Sequence, residues 1–334
     1  MCARVYAVIG SNCFTGSHIV DALLDEPHNQ VIGISRSPEY KALFLPYKRR
    51  TAPHFRFYQL DVLQQVDALL NLLDTVKPQV VINVAALSEV ALSHERPVEY
   101  FATNTLGVVQ LCNHLRRQSY VERYVHISSA EIFGACAQPL AEDALYNPST
   151  PYAASKAAAD MYIHTLQRHY NFPAMIIRST NVYGKHQQLF KIIPRTIIRL
   201  KLGKTIALHG GGRAIKSFVH IDDVVRGLQL ALRRGSVGTY HFSVASERTI
   251  AAIVRLICNM LGYDFDAATK PVEERLGQDA GYRLDCRKAQ QDLGWTPSVR
   301  FEDGVQDVVA WVEEHWQAIM HEPHEYIHKA PRQG

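Results

Sequence analysis

The chain of 334 residues carries 36 Lys and Arg against 32 Asp and Glu, a formal net charge of +4, and is 47% hydrophobic. That composition lets the chain bury a large core and predicts one large or two coupled globular domains. No apolar run approaches the roughly eighteen residues of a membrane span, and MCARVYAVIG enters a strand pattern without a signal-peptide layout, so the expected location is the cytoplasm, with no membrane partner.

The first predicted strand is VYAVI (5 to 9), followed directly by GSNCFTG (10 to 16) and a helical pattern in which Ile19, Val20, Leu23 and Leu24 share one face. A glycine loop between strand and helix brings backbone close to a pyrophosphate and aims helix N-terminal amides at it. Gly10, Asn12, Cys13, Phe14, Thr15 and Gly16 are therefore candidate dinucleotide contacts, and Cys13, standing where a third glycine is expected, restricts the approach of phosphate. The other cysteines, Cys2, Cys112, Cys136, Cys258 and Cys286, are scattered without CxxC spacing, which predicts reduced thiols and no metal site.

The second strand, VIGI (31 to 34), ends in Ser35 and Arg36 with no acid. A carboxylate at that point selects a free ribose hydroxyl, whereas an arginine accommodates a 2′-phosphate. The expected cofactor is NADP, with NAD as the alternative in which Arg36 stacks on adenine. FRFYQL (55 to 60) leads to Asp61 and Val62, expected at the adenine edge, and VVINV (80 to 84) is the fourth strand.

The fifth strand, YVHI (124 to 127), opens into SSAEIFG, where Glu131 is a lone carboxylate just beyond a strand end. Ligands bind at that place in open parallel sheets; the other reading is a loop cap or a surface ion pair. STPYAASKAAADMY then sets Tyr152 and Lys156 four apart on one helical face. A phenol titrating near 10 is a poor base at neutral pH. An adjacent ammonium and an oxidised nicotinamide stabilise its anion, and a shift of ~3 units asks ~4 kcal/mol of those charges.

AMII (174 to 177) is the sixth strand. Between Asp160 and Asp222 lie 61 residues with no Asp or Glu and with ten Lys or Arg. Such a segment suits an anion, and with no aromatic interleaving it suits a small phosphate-bearing ligand better than nucleic acid. Arg178, Lys185 and Arg195 stay open between surface charge and diphosphate contact. After a helix around Asp223 to Arg234, TYHFSV (239 to 244) is expected to return to the sheet.

Strands alternating with helices predict an α/β fold with a doubly wound parallel (Rossmann) sheet. It would comprise residues 1–183 plus about 217–248, with a smaller, mostly helical substrate-binding lobe from about 184–216 plus 249–330. Residues 320–334, which hold His321, His324 and His328, read as a flexible tail rather than a metal site.

Glycine loop, serine-bearing strand end and YxxxK together resemble the extended short-chain dehydrogenase/reductases, the NAD(P)-dependent epimerase/dehydratase family, from Gly10 to about Trp316. Within it the chain is most similar to nucleotide-sugar 4,6-dehydratases. The resemblance implies that Ala85 and Ala86 line the cofactor, that Ser88 follows at the substrate, that Asn104 is the family's helix asparagine and binds the cofactor, and that Asn181 in RSTNVYG contacts substrate. IIPRTIIRLKLGKTIALHGGGRAIKSFVHIDDV is similar to the family's nucleotide-diphosphate-binding stretch. Lys191, Arg213 and Lys216, the last where arginine is usual, are then substrate contacts, as is Arg275 in RLGQDAGYRLD. A nucleotide-diphosphate sugar and a second copy of the chain are the implied partners.

By the same resemblance, Ser129, Ala130 and Glu131 stand where dehydratases carry a hydroxyl, an Asp or Ser, and a Glu, whereas epimerases acting only at the sugar's C4 generally have no use for that carboxylate. The implied catalytic set is Ser129, Glu131, Tyr152 and Lys156. Ala130 departs from the pattern because it cannot protonate a departing hydroxyl. That keeps open a C5 epimerase, a C6 decarboxylase using Lys216 or Arg213 against the carboxylate, and an NADPH-dependent ketosugar reductase. Retention of Tyr152 and Lys156 argues against a sensor without chemistry.

Overall fold

The computed structural model describes residues 4–273 and 281–328. Its strands in chain order are β1 (Val5–Ile9), β2 (Gln30–Ser35), β3 (Phe55–Gln59), β4 (Val80–Asn83), β5 (Arg123–Ile127) and β6 (Ala174–Ser179). They continue with β7 (Asn181–Tyr183), β8 (Ile206–His209), β9 (Ile215–His220), β10 (Gly238–Phe242), β11 (Glu247–Thr249) and β12 (Thr269–Val272).

Seven strands form one sheet in the order β10-β6-β5-β4-β1-β2-β3, every neighbouring pair parallel. Helices cover both faces, so a central strand such as β4 is buried at every residue, which is why these strands read as unbroken apolar runs. Val8, Ile19, Val20, Ile82, Val125, Val224 and Leu228 pack on one face, and Ile9, Leu69, Leu73, Val81, Leu111, Ile163 and Ile176 on the other. The strand order reverses between β1 and β4, where Ile9 pairs with Asn83, and this opens a crevice at their carboxyl ends.

The lobe has its own core of Ile193, Ile197, Leu208, Ile253, Ile257, Val305 and Val308, drawn mainly from helices Ile192–Lys201, Ile250–Leu261 and Phe301–Glu314. It is less purely helical than expected, since β11-β9-β7 and β12-β8 form two small sheets and residues 217–220 belong to the first. Segments of three or four residues carry too little periodicity to announce themselves; pairing with distant partners makes them strands. Residues 321–328, expected to hang free, lie back on the protein. Glu322 pairs with Lys41, Glu325 with Arg199 at 3.3 Å and His328 with Glu99 at 3.1 Å, while Tyr326 meets Phe190 edge-on at 5.1 Å.

Candidate active site

The crevice between β1 and β4 widens into a cleft of about 670 Å³ lined by Gly10, Asn12, Cys13, Phe14, Arg36, Asp61, Val62, Ala85 and Ala86, among others. Gly10 has φ +94°, and a Cβ there would sit 2.6 Å from the Ala85 amide nitrogen, so only glycine lets the two strand ends approach. Gly16 serves packing: a Cβ would lie 2.2 Å from the Gly10 carbonyl oxygen. Cys13 adopts φ −79° and ψ 163°, an extended conformation that needs no glycine, and its Sγ caps the following helix by accepting from Gly16 N at 3.2 Å. The sulfur therefore engages one first-turn amide, and burial pushes the thiol up to about 11, which keeps it neutral beside any phosphate. Asn12 donates from Nδ2 to the Ser37 and Pro38 carbonyls at 3.0 and 2.8 Å, tying the loop to the segment that carries Arg36. Asp61 Oδ1 accepts from the amides of Leu63 and Gln64 at 2.8 and 3.1 Å. A glycine cradle and a helix N-terminus at the reversal of a parallel sheet fit a nicotinamide dinucleotide.

Adjoining the cleft is a cavity of about 240 Å³, and Thr15, Ser88, Ser129, Ala130, Glu131, Tyr152, Lys156, Asn181, Lys191 and Tyr282 are among its lining residues. β5 ends at Ile127, after which Ser129 caps a single helical turn, Ala130–Phe133, by accepting from Glu131 N at 3.2 Å. The turn buries Ala130, Ile132 and Phe133 and leaves Glu131 on the cavity wall. Helix Pro151–Tyr170 begins with proline at its first position and Thr150 as cap, its Oγ1 accepting from Ala153 N at 3.1 Å. Tyr152 and Lys156 follow one turn apart, 8% and 2% exposed.

Burial above all, and then the Glu131 charge, hold the Tyr152 phenol well above its usual range, against a hydrogen bond with Ser129 that lowers it. Burial brings Lys156 down to about 8, with Asp160 opposing the shift. The protein alone thus raises the phenol rather than lowering it.

Residues 6–245 match the NAD dependent epimerase/dehydratase family. The chain belongs to that family. It is 29% identical to a dTDP-glucose 4,6-dehydratase of Haemophilus influenzae, over 91% of this chain and 96% of that one. Among solved structures, DesIV, the dTDP-glucose 4,6-dehydratase of Streptomyces venezuelae with NAD and TYD bound, matches with TM-score 0.86 at 30% identity, covering 94% of this chain and 98% of that one. UDP-glucose 4-epimerase of Thermotoga maritima with UDP-glucose matches with TM-score 0.84 at 25% identity, covering 93% and 99%.

Some residues that family resemblance carries to the site lie elsewhere. Asn104 does not line the cleft: it is fully buried in a single π turn, Ala102–Leu106, where its Nδ2 donates to Leu87 O and Ser155 Oγ, both at 3.0 Å, and its Oδ1 accepts from Leu87 N at 2.8 Å. Both amide hydrogens are spent on holding the wall to the catalytic helix. Lys216 engages Tyr282 on the cavity wall, its Nζ donating to the Tyr282 hydroxyl at 2.8 Å and lying 4.3 Å from that ring's centre, and Arg213 is exposed. Neither lines the cavity. Arg275 lies outside the described residues.

Arg178 is neither surface charge nor diphosphate contact. It is fully buried, pairing with Asp160 at 3.0 Å and donating to the Glu142 carbonyl at 2.9 Å and to Tyr146. Sequence reasoning missed Asp160, although its place four residues after Lys156 sets it on the same helical face. It also missed Tyr282, inside a motif already singled out.

Proposed function

We propose that this protein is a nucleotide-sugar 4,6-dehydratase, converting a nucleotide-diphosphate hexose to its 4-keto-6-deoxy derivative. The observation that carries the reading is Glu131 on the wall of the same cavity as Ser129, Tyr152 and Lys156, next to the dinucleotide cleft. Moving a hydride to and from C4 needs one acid–base group; a second base is needed once the C5 hydrogen is also removed, and Glu131 is a carboxylate placed to be that base. Dehydratases at 29% and 30% identity support the same choice.

A bound nicotinamide dinucleotide supplies the hydride acceptor at C4 and the donor at C6. Ser129 and Tyr152 engage the C4 hydroxyl, and Tyr152 takes its proton under the influence of the Lys156 ammonium. The resulting ketone acidifies C5–H, and Glu131 removes that proton. Ala130 has only a methyl group to offer the departing C6 hydroxyl, so the protonated Glu131 is the acid that delivers the proton and releases water. General acid help is worth about 10² to 10⁴ in rate, so one carboxylate doing both duties predicts a slow elimination step. Of the cations the decarboxylase alternative would use, Arg213 is exposed and Lys216 is engaged with the Tyr282 hydroxyl at 2.8 Å, which favours the dehydratase.

NAD is our reading of the resident cofactor, supported by its presence with DesIV. Arg36 on the cleft wall is what favours NADP, which draws no support from the relatives. A homodimer is supported by exposed Val98, Phe101, Leu106 and Met161 on adjoining helical segments. The five described cysteines are free thiols, in keeping with a cytoplasmic site of action.

The test is incubation of purified protein with a panel of nucleotide hexoses and no added cofactor, followed by mass spectrometry and NMR. Loss of one water supports the proposal; unchanged mass with altered ring couplings would replace it with an epimerase. Mass analysis of nucleotide released on denaturation separates NAD from NADP.

A further inference from the structure

Beneath Lys156 lies an imidazole that the mechanism has not used. His126 on β5 is fully buried, and its Nε2 lies 3.2 Å from Lys156 Nζ, which also donates to the Ile127 carbonyl at 2.8 Å. We propose that His126 is a positioning residue for C4 oxidation: a neutral imidazole whose Nε2 accepts a hydrogen bond from the Lys156 ammonium, keeping that lysine charged and aimed at Tyr152 and the cofactor. The inference rests on the reading of Tyr152 and Lys156 given above.

The surroundings decide which form the ring takes. From helix Pro151–Tyr170 it faces Lys156 and Asp160, whose Oδ1 is 3.9 Å from Nε2. On β5 the Tyr124 hydroxyl is 3.4 Å from Nδ1, and from β4 the neutral Asn83, opposite His126 in register, donates to that same hydroxyl at 3.3 Å. From β6 the Arg178 charge bears on it. Two cations, Lys156 and Arg178, thus share one carboxylate, whose Oδ2 is already held by Arg178 at 3.0 Å and Ser128 at 2.9 Å. An imidazolium would add a third positive charge to a fully buried site, and burial with those two cations pushes His126 well below its ordinary range.

A neutral ring protonated at Nδ1 donates toward Tyr124 and leaves Nε2 as an acceptor. The ammonium then spends two hydrogens on Ile127 O and His126 Nε2 and has the third for the reacting side. Without Nε2, one protein acceptor remains in a buried pocket, and the lysine discharges more readily.

The experiment measures C4 oxidation in the holoenzyme by the appearance of reduced nicotinamide across pH, for wild type, His126→Phe and His126→Gln. Phe fills the space without an acceptor, whereas Gln can offer its Oε1. In His126→Phe the alkaline limb, where Lys156 discharges, is expected to move down by about one pH unit, a tenfold change in the lysine's proton affinity. kcat should fall with little change in KM, and His126→Gln should restore the limb. A limb that stays in place in His126→Phe, or moves equally in both variants, overturns the proposal. If the variants do not fold, nitrogen NMR of histidine-labelled wild-type holoenzyme decides: an unprotonated Nε2 supports it, and an Nε2–H tautomer or a cationic ring overturns it. Because C4 oxidation precedes any loss of water, failure of this proposal is distinguishable from failure of the dehydratase assignment.

Discussion

Replacing Glu131 with glutamine separates the two halves of the proposed reaction. The amide keeps the size of the side chain and leaves the Ser129 cap on the residue 131 backbone amide intact, but it removes the base. Deprotonation at C5 is then expected to slow by about 10² to 10⁴, equivalent to about 3 to 5 kcal/mol on that barrier. C4 oxidation should respond in the opposite sense. The Glu131 carboxylate is one of the charges that hold the Tyr152 phenol up, so removing it makes the phenolate easier to form and moves the acidic limb of C4 oxidation to lower pH. Rapid mixing of the variant holoenzyme with sugar nucleotide should therefore show reduced nicotinamide that forms promptly and persists, since no dehydrated sugar arises to take the hydride back. In heavy water, the recovered sugar should carry no deuterium at C5. Incorporation at the wild-type rate, or decay of the absorbance at the wild-type rate, would remove Glu131 from the mechanism.

Three further outcomes follow from the same geometry. Arg178→Met should cost about 3 to 5 kcal/mol, because it strands the Asp160 carboxylate in the interior; adding Asp160→Leu should return part of that loss, and urea unfolding that shows the double variant as the sum of two penalties would contradict the account. Gly10→Ala, with φ +94° and a Cβ 2.6 Å from the Ala85 nitrogen, should yield protein that no longer retains its dinucleotide, as read by the nucleotide released on denaturation. With Lys156 brought down to about 8, its charge is present below that pH and lost above it, so the rate of C4 oxidation should fall as pH rises past about 8, and Lys156→Met, at a much lower rate, should show no such alkaline limb.

The sheet was legible because parallel strands covered on both faces must be apolar along most of their length, as VVI in β4 and AMII in β6 are. The loop after β1 was legible because a positive φ and a close backbone approach at Gly10 leave few residue choices. Tyr152 and Lys156 were readable from local spacing, Ser129 and Glu131 from their place at a strand end and from the family resemblance, and the structure brings all four to one cavity. What lay beyond reading was the interior of charges. Arg178 stands in a long acid-free stretch that suggests a basic surface, yet a strand two residues longer than expected carries it inside, to an aspartate eighteen positions earlier. Asn104 and Lys216 were misplaced for a related reason: a motif says which residue type recurs, and only packing says what its polar atoms touch. The pairing of β7 with β9 and of β9 with β11 is likewise a property of the assembled lobe.

Residues 322, 323 and 325–327 border the large cleft, and none of them borders the smaller cavity around Glu131. On the proposed function this sets the carboxyl-terminal segment beside the electron carrier and away from the reacting hexose. A hexose nucleotide can arrive and depart while the electron carrier stays housed behind the carboxyl-terminal segment, so the hydride lifted from one molecule is handed back to that same molecule. Each turnover then closes on itself, and the cell's pool of reducing power is left untouched.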